Sequence, residues 1–224
     1  MGETTIIRYI EGDIPTTEYS NKLRTILDEP TYYYELLIKN QDNLTNVAFR
    51  KSKKAVLEKL MESKINLIAQ YIIYICEGDV NPSYLQWLLY YTQAFSLALY
   101  DKVLFEEDYS VNNLNMPFIK LYDSMKNHGV NVLEIPEDRL GEEELNLINK
   151  VVASFSWYGP KALKFLTTAE RTSFRISRDK ESNRIIAKET IKNYFKEILN
   201  QYNIHSLEEI NRCPDKRILE LKNL

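Results

Sequence analysis

The chain has 224 residues, of which 44% are hydrophobic and 27% charged, with only 6 glycines and 7 prolines. This composition is ordinary for a folded globular protein and excludes collagen-like or wholly disordered chains. The net charge of −3 argues against a strongly basic protein that coats nucleic acid or anionic membrane.

The few cysteines and the short apolar runs indicate in which cellular compartment the protein is expected. Cys76 and Cys213 are its only cysteines, too few for a disulfide framework or a cysteine-based zinc site. No apolar run reaches the roughly 18 residues that a membrane helix needs, and no signal peptide opens the chain. We therefore expect a cytoplasmic protein that does not bind a membrane.

Helical periodicity dominates the chain. The expected fold is mainly α, a compact helical domain around one central hydrophobic helix, with room for one or two short strands. Three parts are predicted: an N-terminal helical segment over residues 1–63, a main domain over 64–205 and a C-terminal helical tail over 206–224. The predicted helices of the first part are Thr17–Leu27, Thr31–Lys39 and the basic, amphipathic Val47–Glu62.

The central helix is predicted over residues 82–100, the most hydrophobic segment of the chain. Gly78 suits the left-handed turn that ends the preceding helix, and Asn81 and Pro82 suit an N-cap and a first helical position. A helix that is apolar on nearly every side belongs at the centre of a domain. The preceding helix carries an apolar stripe formed by Ile65, Ile68, Ile72 and Ile75.

After the central helix, the apolar run Val103-Leu104-Phe105 favours a short strand. A helix is predicted from Phe118 to His128, and the Glu142–Glu144 run suits the N-terminus of another helix, where the dipole favours acidic residues. Pro160 then restarts a helix that contains Leu163 and Leu166. These elements complete the predicted helical domain as far as residue 168.

The C-terminal region begins with a charged stretch. Residues 169–186 alternate arginines with acidic residues and are predicted to form a solvated loop or an exposed helix. A clear helix over about 188–202 follows, because its apolar residues recur at helical spacing. Ser206 opens a Ser-Leu-Glu-Glu sequence that has the capping-box pattern of a short C-terminal helix.

Residue types that carry catalysis are sparse. The glycines never cluster into a phosphate-binding loop. The only two histidines, His128 and His205, lie in predicted turns. Cys76 falls on an apolar helix stripe, where a core thiol is expected rather than a nucleophile. We accordingly expect no catalytic residue, no metal site and no cofactor, and a protein that is not an enzyme.

The stretch IAQYIIYICEGDVNPSYLQWLLYYTQAFSLALYDKVLFEED, from Ile68 onward, resembles the Panacea domain, also called the SocA-like antitoxin domain. That family shows an apolar helix, a short turn, a Leu-Gln-Lys-Leu-Leu-Tyr-like helix with a downstream Gln, and a Leu-Phe end. Trp87 stands where the family usually has Lys. The matching positions that form the core of the motif are Leu85, Leu88, Leu89, Tyr90, Gln93 and Phe105.

A second stretch, GEEELNLINKVVASFSWYGPKALKFLTTAERTSFRISR, is similar to the family's second block. That block has an acidic helix start, a Tyr-Gly turn, a Leu-containing helix that ends in Thr, and a downstream Arg. The resemblance thus spans about residues 65–202. Between the two blocks, residues 110–129 lack the Ala-Trp and Gly-Pro-Val of the family, which implies partner contacts different from those of relatives if this segment binds.

The N-terminal stretch GETTIIRYIEGDIPTTEYSNKL resembles the end of an Xre-type helix-turn-helix repressor domain, with Thr5, Arg8 and Tyr9 among the matching residues. In such domains, scaffold helices hold the recognition helix in the major groove and contact backbone phosphates. The sequence in front of this segment does not supply them. The expectation is a structural remnant or a partner surface, and retained specific DNA binding is the alternative.

The Panacea resemblance implies an antitoxin of a type II toxin–antitoxin system that neutralises a protein toxin by direct binding. The implied partners are the cognate toxin and, where the domain acts as an adaptor, a protease or chaperone. An acidic antitoxin suits a basic toxin. The partial helix-turn-helix and the basic 47–64 helix support a second hypothesis, a DNA-binding transcriptional regulator that acts on its own operon. A third is an enzyme or a phage accessory factor.

A turn with two large aromatic residues is the predicted partner-binding site. Trp157 and Tyr158 lie between two predicted helices, and Arg171, Arg175 and Arg178 follow closely in sequence. Aromatic residues and arginine are enriched at binding hot spots. The alternative is that both aromatic side chains fill the gap between the two helices.

Overall fold

The structure, a computed structural model, describes residues 3–112, 116–128, 139–171, 174, 176–178 and 183–222. These residues form a mainly α protein, which confirms the predicted fold class. The backbone contacts divide the chain into two compact units, Met1–Leu60 and Met61–Leu224.

The first unit is a set of short helices. Its elements are α1 (Glu3–Ile10), α2 (Thr17–Asp28), α3 (Pro30–Lys39) and α4 (Asn46–Leu60). The Oγ1 atom of Thr16 accepts a hydrogen bond from the Tyr19 backbone N–H at 3.4 Å and caps α2. Pro30 occupies the first position of α3, where its missing N–H costs nothing. Helix α3 packs against α2 and α4, so the three helices predicted here are confirmed.

The second unit contains most of the helices and a small sheet. Its elements are α5 (Lys64–Ile75), α6 (Pro82–Tyr100), β1 (Tyr109–Ser110), α7 (Ile119–His128), α8 (Glu142–Phe155), α9 (Gly159–Arg171), β2 (Ile176–Arg178), β3 (Arg184–Ile186), α10 (Lys188–Gln201) and α11 (Arg212–Lys222). The described strands form one antiparallel sheet in the order β1-β3-β2. Helix α6 packs against α5, α7, α8, α9 and α10 and is therefore the centre of this unit, as predicted.

The ends of α6 follow its sequence signals. The Asn81 side chain accepts a hydrogen bond from the Tyr84 N–H at 2.9 Å, and Pro82 occupies the first turn. The helix ends at Tyr100, and the C-cap residue Asp101 has a left-handed φ of 56°. Gly78, in the turn before α6, has a φ of 80°, which a residue without Cβ adopts without strain. The predicted N-cap and the predicted glycine turn are both confirmed.

Helix α6 is buried on every side. Its aromatic side chains pack with those of neighbouring helices, and the rings of Tyr91 on α6 and Phe155 on α8 stack with centroids 4.1 Å apart. The Phe95 and Phe195 rings meet edge to face at 5.4 Å, a geometry that adds to the burial of apolar area. The six motif residues of the family resemblance are all buried in this unit: Leu85, Leu88, Leu89, Tyr90, Gln93 and Phe105.

The strand predicted over residues 103–105 is wrong, because a side chain bonds the backbone that a strand would use. The Oε1 atom of Gln93 accepts from the Leu104 N–H at 2.9 Å and the Phe105 N–H at 3.3 Å. Its Nε2 donates to the Phe105 carbonyl at 2.9 Å. With these groups satisfied by one buried amide, the segment stays irregular, and the strand of this region is Tyr109–Ser110.

The prediction of a loop or an exposed helix over 169–186 is also wrong. Helix α9 continues to Arg171, and two strands follow, with Ile176 opposite Ile186 and Arg178 opposite Arg184. Ile186 is fully buried in β3. Because β-branched residues favour strands with one buried face, the apolar Ile185-Ile186 pair outweighs the flanking charges.

The capping box predicted at Ser206 is wrong, because the Ser206 side chain makes no cap hydrogen bond. The Glu209 carboxylate instead accepts from the His205 N–H at 2.9 Å, and residues 207–209 form a single 3₁₀ turn. The C-terminal helix begins later, at Arg212. Ile210 and Cys213 are buried, so this region contributes to the core of the second unit.

Candidate partner-binding surface

Trp157 is the most exposed aromatic residue that the structure describes. It lies on the 3₁₀ turn Ser156–Tyr158 between α8 and α9, and 88% of its surface is exposed. This exposure excludes the possibility that its indole fills a gap between the two helices. An exposed tryptophan leaves a large apolar area in water, and tryptophan is enriched at protein interfaces.

Hydrogen bonds from two other helices hold the turn. The Tyr84 hydroxyl, on α6, donates to the Ser156 carbonyl at 2.7 Å. The Tyr158 hydroxyl donates to the Asp215 carboxylate on α11. Burial and the bonded Asp215 raise the pKa of Tyr158 to about 12, so the hydroxyl keeps its proton and stays a donor. Trp157 is thus presented on an anchored turn.

The turn continues into a helix with two different faces. Leu163 and Leu166 of α9 are buried. Lys161, Lys164 and Phe165 are exposed, Phe165 to 61%. Residues three and four positions apart share a helix face, so these three side chains form one mixed cationic and apolar face. The candidate surface, hereafter the Trp157 surface, comprises Trp157, Tyr158, Lys161, Lys164 and Phe165.

Of the three predicted arginines, only Arg178 has a side chain within the described part of the structure. Arg171 is the last residue of α9, and its side chain lies outside the described part of the structure, as does Arg175 altogether. Arg178 is exposed on β2, one of the two edge strands of the described sheet. The structure therefore brings Trp157 and Tyr158 together on one turn and places Arg178 on a separate element.

The residues that resemble a helix-turn-helix have partners within the first unit. The Arg8 guanidinium pairs with Asp13, with Nε and Oδ2 2.6 Å apart. The Tyr9 ring lies 6.4 Å from the Tyr19 ring, and Thr5 is half-buried. A phosphate or a base would have to compete with Asp13 for the Arg8 guanidinium.

A buried carboxylate in the second unit is a feature that the sequence did not reveal. Glu170 is 3% exposed, and its oxygens accept from the Tyr90 hydroxyl at 3.1 Å and the Tyr91 hydroxyl at 3.2 Å. Burial raises the pKa of Glu170 to about 7, against the opposing effects of the tyrosine hydrogen bonds and of Arg217. The missed signal is its spacing, because Leu163, Leu166 and Glu170 share the inner face of α9.

Within the described ranges, the histidines and cysteines singled out from the sequence form no metal site and no activated nucleophile. No group of three His, Cys, Asp or Glu side chains could hold a metal ion within the described ranges. His205 is exposed, while the His128 side chain lies outside the described part. Cys76 is half-buried, and burial raises the pKa of its thiol, which disfavours the thiolate that a nucleophile needs.

None of the helices, over the part of the chain that the structure describes, is both long enough and apolar enough to cross a membrane. The chain matches no protein-family model, no curated protein and no solved structure.

Proposed function

We propose that this chain is the antitoxin of a type II toxin–antitoxin system and neutralises a protein toxin by direct binding. The observation that carries the proposal is the 88% exposure of Trp157 on a turn that α6 and α11 anchor. The resemblance of residues 65–202 to the Panacea domain supports the class of partner. A more specific version of this proposal is that the antitoxin also acts as an adaptor that presents the bound toxin to a protease.

The physical basis of binding would be the burial of Trp157 by the toxin. A tryptophan side chain buries roughly 150–250 Å² at an interface, and apolar burial contributes about 25 cal/mol per Å². Because the turn is already fixed by hydrogen bonds, binding orders little additional backbone. Phe165 extends the apolar area along α9. Neutralisation follows when the bound antitoxin covers the active surface of the toxin.

The alternative function, a DNA-binding regulator, has weaker support. It depends on the resemblance at Thr5, Arg8 and Tyr9. Arg8 already pairs with Asp13, and Tyr9 already contacts Tyr19. These contacts favour a structural or partner-binding role for α1 over specific DNA binding.

The test is co-expression with the product of the gene beside this one, with growth as the readout. We expect the wild-type chain to rescue growth that this product arrests and Trp157→Ala to lose the rescue at low expression. Val103→Ala is the matched control, because Val103 is 48% exposed and follows the opposite end of α6 from Tyr84. A helix of that length separates its two ends by nearly 30 Å.

Both variants should keep the wild-type melting temperature. A neighbouring product that does not arrest growth, or one that the wild-type chain fails to neutralise, would contradict the proposal. Rescue by Trp157→Ala equal to that of Val103→Ala would show that the toxin binds elsewhere on the protein.

A further inference from the structure

A cavity of about 440 Å³ lies next to the Trp157 surface. It is formed by the first two turns of α6, by α7 and the residue Met116 before it, and by the start of α9. Its volume lies in the range of pockets that accept a small ligand or a few side chains, and it is open to solvent. Lys161 and Lys164 belong both to the Trp157 surface and to this cavity, so the two features are continuous.

The cavity is lined by positive charge that no carboxylate pairs with over the described ranges. Lys126, Lys161 and Lys164 line it, and no carboxylate is among its described lining residues. Elsewhere in the unit, lysines pair with acidic residues, such as Lys188 with Asp108 at 2.6 Å and Lys192 with Asp101 at 2.8 Å. None of the three cavity lysines has such a pair within the described ranges. The N-terminus of α6 adds the positive end of a helix dipole.

The rest of the cavity wall is largely apolar. Trp87, Met116 and Pro160 contribute to the lining, and Trp157 and Phe165 are exposed close by in sequence. A ligand that matches this site combines an anionic group with apolar groups. Long nucleic acid matches the site less well, because its phosphate contacts make no use of an apolar wall.

We propose that this cavity binds an acidic, apolar peptide segment of the protein partner, with its carboxylates held by Lys126, Lys161 and Lys164. The inference rests on the proposed function, since it specifies the chemistry of the toxin surface that the antitoxin recognises. It also reverses the expectation from net charge, because an acidic protein presents a local positive site. Partner recognition would follow the local charge at the cavity rather than the total charge.

The test uses a defined probe, a fluorescently labelled random copolymer of glutamate and tyrosine, with a lysine–tyrosine copolymer of equal length as the charge control. The binding variant is K126E/K161E/K164E. The matched control is K39E/K51E/K120E, built from exposed lysines that are not among the lining residues of the cavity. Both variants change the formal net charge from −3 to −9. Circular dichroism and the melting temperature show whether each triple variant is folded. If a triple variant does not fold, the version with Lys→Gln at the same three positions takes its place.

We expect the wild-type chain to bind the glutamate–tyrosine copolymer and not the lysine–tyrosine copolymer. K126E/K161E/K164E should weaken binding at least tenfold, while K39E/K51E/K120E should stay within threefold of wild type. Equal weakening by both variants would overturn the proposal. So would equally tight binding of oligothymidine, which would identify a nonspecific polyanion site, or full displacement by millimolar inorganic phosphate, which would identify a small-anion site.

The copolymer experiment and the neutralisation experiment can fail independently of each other. If the wild-type chain neutralises the neighbouring gene product but the copolymer result is negative, the inference fails and the antitoxin proposal stands. If the copolymer binds as expected but no neutralisation occurs, the antitoxin proposal fails.

Discussion

The two tryptophans of the chain occupy opposite environments. Trp87 lies on α6 and is 1% exposed, whereas Trp157 lies on the turn before α9 and is 88% exposed. The aromatic core around α6 is complete without Trp157, because Tyr91, Phe95 and Phe155 already pack against one another. The same residue type therefore stabilises the fold at one position and is available to a partner at the other.

The largest expected effect is on the buried tryptophan. Trp87→Ala should lower the free energy of unfolding by about 3–5 kcal/mol, because it removes a large side chain from a packed interior and leaves a cavity. Chemical denaturation measures the loss. Trp157→Ala is the matched control and should change stability by no more than about 0.5 kcal/mol. Similar losses of stability in the two variants would contradict the different roles assigned to Trp87 and Trp157.

The buried Glu170, on the inner face of α9, predicts that the stability of the protein depends on pH. Because the pKa of Glu170 is raised from 4.5 to about 7, the native protein binds more protons than the unfolded chain between these pH values. The contribution of Glu170 to the free energy of unfolding should therefore be largest below pH 4.5. This contribution should be lost as the pH rises to about 7. One pKa unit corresponds to about 1.4 kcal/mol, so the loss amounts to about 3 kcal/mol.

The control for this prediction is Glu170→Gln, which cannot titrate. The difference in unfolding free energy between pH 5 and pH 8 should be smaller in Glu170→Gln than in wild type, measured by urea denaturation. Tyr90, Tyr91 and Arg217 surround the side chain of residue 170 and are the same in both proteins, so their own contributions to the pH dependence largely cancel. An identical pH profile for the two proteins would show that Glu170 is charged throughout.

The loop after α6 gives a third prediction. Gln93→Met keeps the volume of the side chain but removes its hydrogen bonds to the backbone of Leu104 and Phe105. Each buried backbone group left without a partner costs about 1–3 kcal/mol. We expect a loss of at least about 2 kcal/mol in unfolding free energy, with faster amide hydrogen exchange at Leu104. Unchanged exchange there would contradict the assigned role of Gln93.

The smallest effect is spectroscopic and compares the two tryptophans directly. Iodide should quench the fluorescence of Trp157 and leave that of Trp87 unaffected, because only the first is exposed. In Trp157→Ala the remaining emission should be blue-shifted and resistant to iodide. Strong quenching of that remaining emission would mean that Trp87 is accessible to solvent.

Local sequence signals predicted α6 well, because Asn81, Pro82 and an apolar run act over a few neighbouring residues. They failed where distant groups decide the structure. The strand predicted at 103–105 is absent because the Gln93 amide bonds that backbone. The burial of Glu170 depends on the Tyr90 and Tyr91 hydroxyls about 80 positions earlier. No local pattern around Glu170 contains those partners.

The candidate surface was predictable in part. The Trp-Tyr-Gly-Pro sequence indicated an aromatic turn, and Gly159 has a φ of 62° there. The exposure of Trp157 and the bond between Tyr158 and Asp215 on α11 required the tertiary structure. The cavity lysines were not predicted, because Lys126 lies far in sequence from Lys161 and Lys164 and only packing brings α7 and α9 to the same cavity.

The most direct test of the central claim is the affinity of the purified chain for the product of the neighbouring gene, measured by isothermal titration calorimetry. A hot-spot residue costs at least about 2 kcal/mol when truncated, which is roughly thirtyfold in Kd. We predict that Trp157→Ala weakens binding by at least that factor, while Val103→Ala stays within threefold of wild type. Equal affinities for the two variants, or no binding by the wild-type chain, would contradict the claim that Trp157 anchors a bound toxin.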